Sequence, residues 1–446
     1  MSAGDAPGQA HQAGQLAPRL ATRLRDRLDG ARPETASPLG WRCFQLGVLF
    51  LASSALIAGL LLLVALIQGS RGREAPWWND PANRFLALAA GLMLIGAACA
   101  RGFANYKPAL AWLGLFNWLP FFWAFWGFQP YLCTAAARRR VALALVAGTV
   151  PVLITGLGQL YLGWSGPWQI LGGAVVWWIE PGGNPPERLS GLFDYANITA
   201  AWLALSWPLL LAALVAAARR RHSDGLMPLL TVLTLAIAQV AAVFLTDSRN
   251  AWGALVLAVP LVLGPISWPW LLPLLALGLL PVLLATLPWV PHGLQAPMRQ
   301  LVPQAIWGRL TDFNSHGHRP LAITRLSQWG TAVTLIGEHP WLGWGAAAFS
   351  VIYPLRTGFW HGHTHNIGFD LAISHGLPVA LIVVGLVLWL LIRALHRGMA
   401  RGPVFERGWW AATLVLAALH ATDIPMYDSR INIAGWILLA GLRCYR

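Results

Sequence analysis

Charge is scarce in this chain. Only 11% of its 446 residues are Asp, Glu, Lys or Arg, against about 25% in a soluble domain. That deficit, beside 57% hydrophobic residues, excludes an ordinary soluble enzyme and selects a membrane protein. Cysteine is also sparse. Cys43, Cys99, Cys133 and Cys444 lie in or beside apolar segments and none falls in the long polar stretch, so no disulfide framework is expected. Residues 1 to 40 lack the short apolar core of a cleavable signal peptide, so insertion relies on the first membrane helix, with the N-terminus inside. No repeat or low-complexity tract points to a solenoid or an inverted-repeat transporter. No Walker A loop, dinucleotide fingerprint, Cys-x-x-Cys pair or nucleophile elbow is found, which leaves ATP-driven, dinucleotide-dependent and hydrolase readings without support.

What is abundant is tryptophan, with 26 Trp against 7 Tyr and 16 Phe, a composition suited to membrane interfaces, where one edge of the indole stays wet. The net charge of +14 comes from arginines in short clusters beside apolar runs: Arg138, Arg139 and Arg140; Arg219, Arg220 and Arg221; Arg393, Arg397 and Arg401. The pattern marks cytoplasmic ends under the positive-inside rule and argues against a nucleic-acid partner. The basic segment with Leu20, Leu24 and Leu28 among Arg19, Arg23, Arg25 and Arg27 reads either as a surface helix against anionic headgroups or as a solvated tail.

Apolar runs able to cross a core of about 30 Å fall near 42–69, 85–100, 108–132, 141–161, 196–218, 226–246, 250–265, 268–290, 376–395, 407–421 and 430–443. The first is unusually long and contains Gly59. Splitting it into a hairpin puts all three arginine clusters on one side. The expectation is an all-α, polytopic transmembrane protein of about twelve helices with both termini cytoplasmic. Its parts are a basic tail (1–40), transmembrane helices with a short outer loop at 162–195 (41–290), a long extracytoplasmic loop with amphipathic helices (291–375), and C-terminal transmembrane helices (376–446). A loop that long is functional or disordered. Leu326, Trp329, Val333 and Ile336 predict a helix over 325–338, ended by His339 and Pro340.

Three groups of residues could carry chemistry. Arg249, in Thr-Asp-Ser-Arg-Asn between two apolar runs, is a functional candidate or a snorkelling anchor, with Asp247 as its candidate partner. The segment from Trp360 to Asn366 offers His361, His363 and His365. Three imidazoles admit a metal site needing a fourth ligand, a single catalytic base suited to neutral pH, or plain interfacial polarity. Asp312, Glu338 and Asp370 are the acids expected within reach. Finally, Arg299, Arg309, Arg319, Arg325 and Arg356 give the outer loop a positive excess against the usual trend. Arginine forks suit phosphate oxygens and could stabilise a diphosphate leaving group.

With these residues in view, the chain resembles the O-antigen ligase and polymerase family over about residues 185–395. Arg188 to Asn197 is similar to a short Gly-Phe…Asn approach to a membrane helix, and Thr246 to Trp252 to a Ser-Arg-x-x-Trp-like turn. The most specific stretch runs from Arg325 through Glu338, Pro340, Leu342, Gly343 and Gly345 to His365, Asn366 and Gly376. It departs from the family pattern at Val379, where a glycine is usual. The resemblance implies a bacterial inner-membrane enzyme that moves a glycan from an undecaprenyl-diphosphate carrier to an acceptor hydroxyl on lipid A-core or a growing polysaccharide. That transfer is inverting, on the periplasmic face, without metal or cofactor. It implies His365 as general base, with His363 the rival; Arg188, Arg249 and Arg325 as diphosphate ligands; and Asn197, Glu338 and Asn366 in support. Walls of packed helices would exclude water from the donor.

The shared motifs do not separate ligase from polymerase. A relative that glycosylates protein would carry further sequence after its last helices, so that variant is not expected for a chain ending at Arg446. A solute transporter, of inorganic carbon for example, is the alternative from another class, but its site would be expected near the midplane and not in an outer loop.

Overall fold

The computed structural model describes residues 28–71, 73, 76–173, 175–311 and 324–445. Most of the basic tail, together with Asp312 and Arg319, lies outside the described residues. Each predicted apolar run is helical. The first forms two helices, α1 (Pro38–Phe50) and α2 (Ala55–Ser70), packed on each other. The break falls at residues 51–54 and not at Gly59, because Ser54 caps α2 by accepting from the Ile57 N–H, a role for which Ser is well suited. Gly59 stays inside α2. Then come α3 (Pro81–Cys99), α4 (Ala109–Gly114), α5 (Leu119–Gly127), α6 (Ala135–Gly148) and α7 (Val150–Tyr161). Pro81 at the first turn, with the Asp80 side chain accepting from the Ala82 N–H, starts α3.

The segment 162–195 adds an antiparallel hairpin, β1 (Trp168–Ile170) with β2 (Val175–Trp177). Its Trp177 indole donates to the Ser53 carbonyl at 2.6 Å, seating the hairpin on the α1–α2 turn. Next are α8 (Ala196–Arg219), α9 (Arg221–Asp224), α10 (Met227–Leu245), α11 (Arg249–Leu263) and α12 (Trp268–Thr286). The described residues of the long loop form α13 (His292–Leu301), α14 (Gln304–Leu310), α15 (Arg325–Glu338) and α16 (Ala348–Thr357). The chain ends with α17 (Ile367–His375), α18 (Leu377–His396), α19 (Val404–His420) and α20 (Ser429–Cys444).

Seven helical segments among the described residues are long and apolar enough to span a membrane: Pro81–Cys99, Ala109–Gly127, Ala135–Tyr161, Ala196–Arg219, Met227–Leu245, Pro265–Thr286 and Leu377–His396. Others, including Ala55–Ser70 and Arg249–Leu263, are apolar but shorter. Helix α8 is the axis. It is buried almost throughout and packs against α6, α10, α11 and α19. By contrast, α12 buries only Leu271 and Ala285, so most of its other Leu side chains and both Trp face outward, as lipid contact requires.

The long loop has a core of its own, in which Tyr106 from the α3–α4 connection joins Leu335, Phe349, Ile352, Tyr353 and Ile373. The Pro340–Gly345 turn is bound to the α17–α18 junction: Trp344 N–H donates to the Ile373 carbonyl at 2.7 Å, and Leu377 N–H to the Pro340 carbonyl at 2.8 Å. This close approach explains two motif glycines. A Cβ on Gly376 would lie 2.1 Å from the Trp341 carbonyl oxygen, and one on Gly343 would lie 2.5 Å from that of Ile373. Both have positive φ, 89° and 70°, which side chains disfavour. Val379 sits fully buried inside α18, so the departure from the family pattern leaves the helix start at Leu377 intact.

Candidate functional site

The histidine segment ends in the N-cap of α17. The Asn366 side-chain oxygen accepts from the Phe369 N–H at 3.1 Å, while its amide donates to the Ala421 carbonyl at 3.0 Å. Asn366 therefore fastens the histidines to the turn between α19 and α20, residues 421–428. That turn is sewn down further: Tyr427 donates to buried Asp370 at 2.5 Å, and Arg430 donates to the Leu192 carbonyl at 2.8 Å and covers the Phe193 ring.

These contacts bring Asp423 to the imidazoles. Its Oδ1 lies 3.1 Å from Nδ1 of His365 and 3.8 Å from Nε2 of His363. Nδ1 of His363 accepts from the His365 backbone N–H at 3.1 Å. The two rings thus have different tautomers. His363 must carry its proton on Nε2. His365 donates Nδ1–H to the carboxylate, which leaves the lone pair on Nε2. His365 has a φ of 55°, a region that costs about 1–2 kcal/mol per residue and that clusters at functional positions.

Electrostatics sharpen the difference. Burial, then the neighbouring His365, pushes His363 down to about 4, so it is neutral at physiological pH. Burial alone would raise the Asp423 carboxyl, but the His365 hydrogen bond, both imidazoles and the Ile424 N–H hold it below the ordinary aspartate value. Burial also lowers His361, whose Nε2 is enclosed without a hydrogen-bond partner among the described residues.

Next to this trio stands an arginine cluster. Arg325, the first residue of α15, acts electrostatically on Asp423 and His363 and is itself pushed down by burial and by Arg249. Arg188 is pushed down by burial, by Arg309 and by Arg249. Four guanidinium groups from three separate segments therefore converge. Arg188 is pinned by donating to the Thr246 carbonyl at 2.8 Å and to the Asn197 side-chain oxygen at 2.7 Å. Asp247, with a φ of 51°, pairs through its carboxylate with Arg309 at 2.8 Å. Arg249 donates to the Arg309 carbonyl at 3.4 Å.

The structure thus places Arg188, Asn197, Arg249, Arg325, His363, His365 and Asn366 around one region, and sets Glu338 apart. Glu338 ends α15, about 20 Å along the helix from Arg325, and is bound bidentately by Arg356 at 2.9 and 2.7 Å, which lowers its carboxyl. The expected acids are corrected accordingly. Among the described residues Glu338 is engaged elsewhere, Asp370 is taken up by Tyr427, and the carboxylate at the histidines is Asp423. Sequence offered little signal for it, because Asp423 stands 58 positions from His365; an acid in a short turn between two apolar runs is the only hint. Arg309 was legible only as part of the loop's positive excess.

Two chemistries fit the trio. His363, His365 and Asp423 offer three ligand atoms within 4.8 Å of one another, a set that could gather a metal ion, with a fourth ligand still needed for zinc. The same contacts form a carboxylate-oriented imidazole, and the positive charge of Arg325 beside it disfavours a bound cation while favouring an anion.

Comparison with known proteins bears on the same region. No curated protein matches the chain. Residues 234–384 match a family model described as O-antigen ligase. The match takes in Arg249, Arg325, His363, His365 and Asn366 and leaves out Arg188, Asn197 and Asp423. Over this segment, the polytopic, all-α membrane protein is similar to the O-antigen ligase family.

Proposed function

We propose that the chain is a glycan ligase that transfers a saccharide from undecaprenyl diphosphate to an acceptor hydroxyl, on lipid A-core or a glycan, at the periplasmic face of a bacterial inner membrane. The observation that carries this reading is the His365–Asp423 pair standing beside convergent arginines. Asp423 holds Nδ1–H of His365, so Nε2 takes the proton from the acceptor hydroxyl. The freed oxygen attacks the anomeric carbon from the face opposite the diphosphate, inverting it. The bond from that carbon to the phosphate oxygen breaks, and its electron pair leaves with undecaprenyl diphosphate.

Arg188, Arg249, Arg309 and Arg325 are positioned to neutralise that leaving charge, an electrostatic role that grows in the transition state. His363, neutral and with its proton on Nε2, serves as a positioning residue and not as the base. No step in this scheme runs through a metal.

Purified wild type, His365→Ala and Arg325→Ala, assayed with a defined undecaprenyl-diphosphate glycan in chelator, test the reading. Expected is chelator-resistant transfer by wild type, with kcat reduced by about 10²–10⁴ in His365→Ala. Chelator-sensitive transfer would favour the metal reading of the trio, and no transfer to any acceptor hydroxyl would sink the ligase. Products lengthened on the carrier itself would reassign the protein as a repeat-unit polymerase.

A further inference from the structure

The end of the bundle away from the histidines holds a second basic site. Asn197 and Arg219 lie at opposite ends of α8, about 33 Å apart along its axis, so the two regions are separate. Here a cavity of about 400 Å³ opens between the start of α6, the end of α8 and the start of α19. Arg139, Arg219 and Arg220 line it. Among the described residues no carboxylate pairs with any of the three; Arg139 only covers the Phe405 ring, 5.2 Å from its centroid. The one acid in the wall, Glu406, is already neutralised: buried Arg138 donates to it from Nε at 2.9 Å and from a terminal nitrogen at 2.8 Å. The start of α19 faces the same cavity, and its cap, Pro403, offers no side-chain acceptor to the first N–H groups. Unpaired guanidinium groups beside helix N–H donors form an anion site.

We infer that this cavity binds the headgroup of an anionic phospholipid. The site sits where membrane-spanning helices end, which is the depth of a phosphodiester headgroup, and Ala136, Ala216 and Val404 give it an apolar wall beside the charge. Basic pockets between transmembrane helices recognise such lipids. The site is independent of glycan transfer. Its occupancy would anchor α6, α8 and α19 to one leaflet.

The test uses delipidated full-length protein in detergent, with the thermal unfolding midpoint followed as phosphatidylglycerol, cardiolipin, phosphatidylethanolamine or inorganic phosphate is added. Wild type should be stabilised by the two anionic lipids and not by the zwitterionic one. Apparent affinity should weaken about fivefold per arginine removed, the equivalent of about 1 kcal/mol each. The triple variant Arg139→Gln, Arg219→Gln, Arg220→Gln should lose the response. If that variant fails to fold, the exposed single changes Arg219→Gln and Arg220→Gln decide. Arg221→Gln, a neighbouring arginine outside the cavity, should behave as wild type. Equal stabilisation by phosphatidylethanolamine, by inorganic phosphate, or of variants and wild type alike would overturn the inference.

Discussion

The Asp423 carboxylate lies 3.1 Å from Nδ1 of His365, joining the turn after α19 to the segment before α17. This contact sets the tautomer of the imidazole and with it the identity of the nitrogen able to accept a proton. Asp423→Asn, keeping shape but losing the charge, should lower kcat by about 10² or more and leave KM for the glycan donor nearly unchanged. Steady-state kinetics on the purified variant check this; a rise in KM with kcat intact would make Asp423 a binding residue.

Arg188 and Asn197 form a second linked pair. Their 2.7 Å hydrogen bond holds a half-buried guanidinium in place. Asn197→Ala should let Arg188 swing away and raise KM for the diphosphate-linked donor several-fold, whereas Arg188→Lys, which keeps charge but loses the fork, should raise it more. If both variants bind donor as wild type does, the arginine acts only as a scaffold for the 162–195 loop.

His363 makes stability depend on pH. Its folded value of about 4 lies below the ordinary 6.5, mainly because it is buried. The unfolded chain therefore binds a proton there first as pH falls. The stabilisation is complete above about pH 6.5 and is lost progressively towards pH 4; His361 shifts the same way. Thermal unfolding midpoints between pH 7.5 and 5 should fall, and His363→Gln should flatten that slope. An unchanged slope would show that other groups set it.

At the other end of the bundle, Arg138 and Glu406 are 6% and 3% exposed. Arg138→Ala strands a buried carboxylate and should cost about 3–5 kcal/mol of stability. Replacing both partners, as Arg138→Met with Glu406→Leu, should recover most of it. Detergent-solubilised thermal or denaturant unfolding would register the difference, and a double variant as unstable as the single would assign the pair a further structural role.

Orientation is open to labelling. In a background without Cys43, Cys99, Cys133 and Cys444, Gly362→Cys should react with an impermeant thiol reagent in cells whose outer membrane is permeabilised, and Ser223→Cys only after lysis. Reversed labelling would invert the topology and remove the periplasmic reading.

Several of these features were legible in the residues alone. Hydropathy located every apolar run because a bilayer core admits little but helices, and that constraint is local to each segment. The period of Leu326, Trp329, Val333 and Ile336 defined α15 from Arg325 to Glu338, since an amphipathic stripe is also a local property. His365, Asn366 and Arg325 could be named because they sit in short motifs whose glycines and caps are read along the chain.

Tertiary structure alone decided the rest. Asp423 reaches His365 only through the packing of α17 against the turn after α19, and Glu338 is carried away from the site by the length of α15. Arg188, Arg249, Arg309 and Arg325 become one cluster only when three distant segments meet. Pairing between side chains depends on distances in space, to which hydropathy and periodicity are blind. Residue order specifies which segments are helices and which residues carry charge; packing in three dimensions sets which charges face one another.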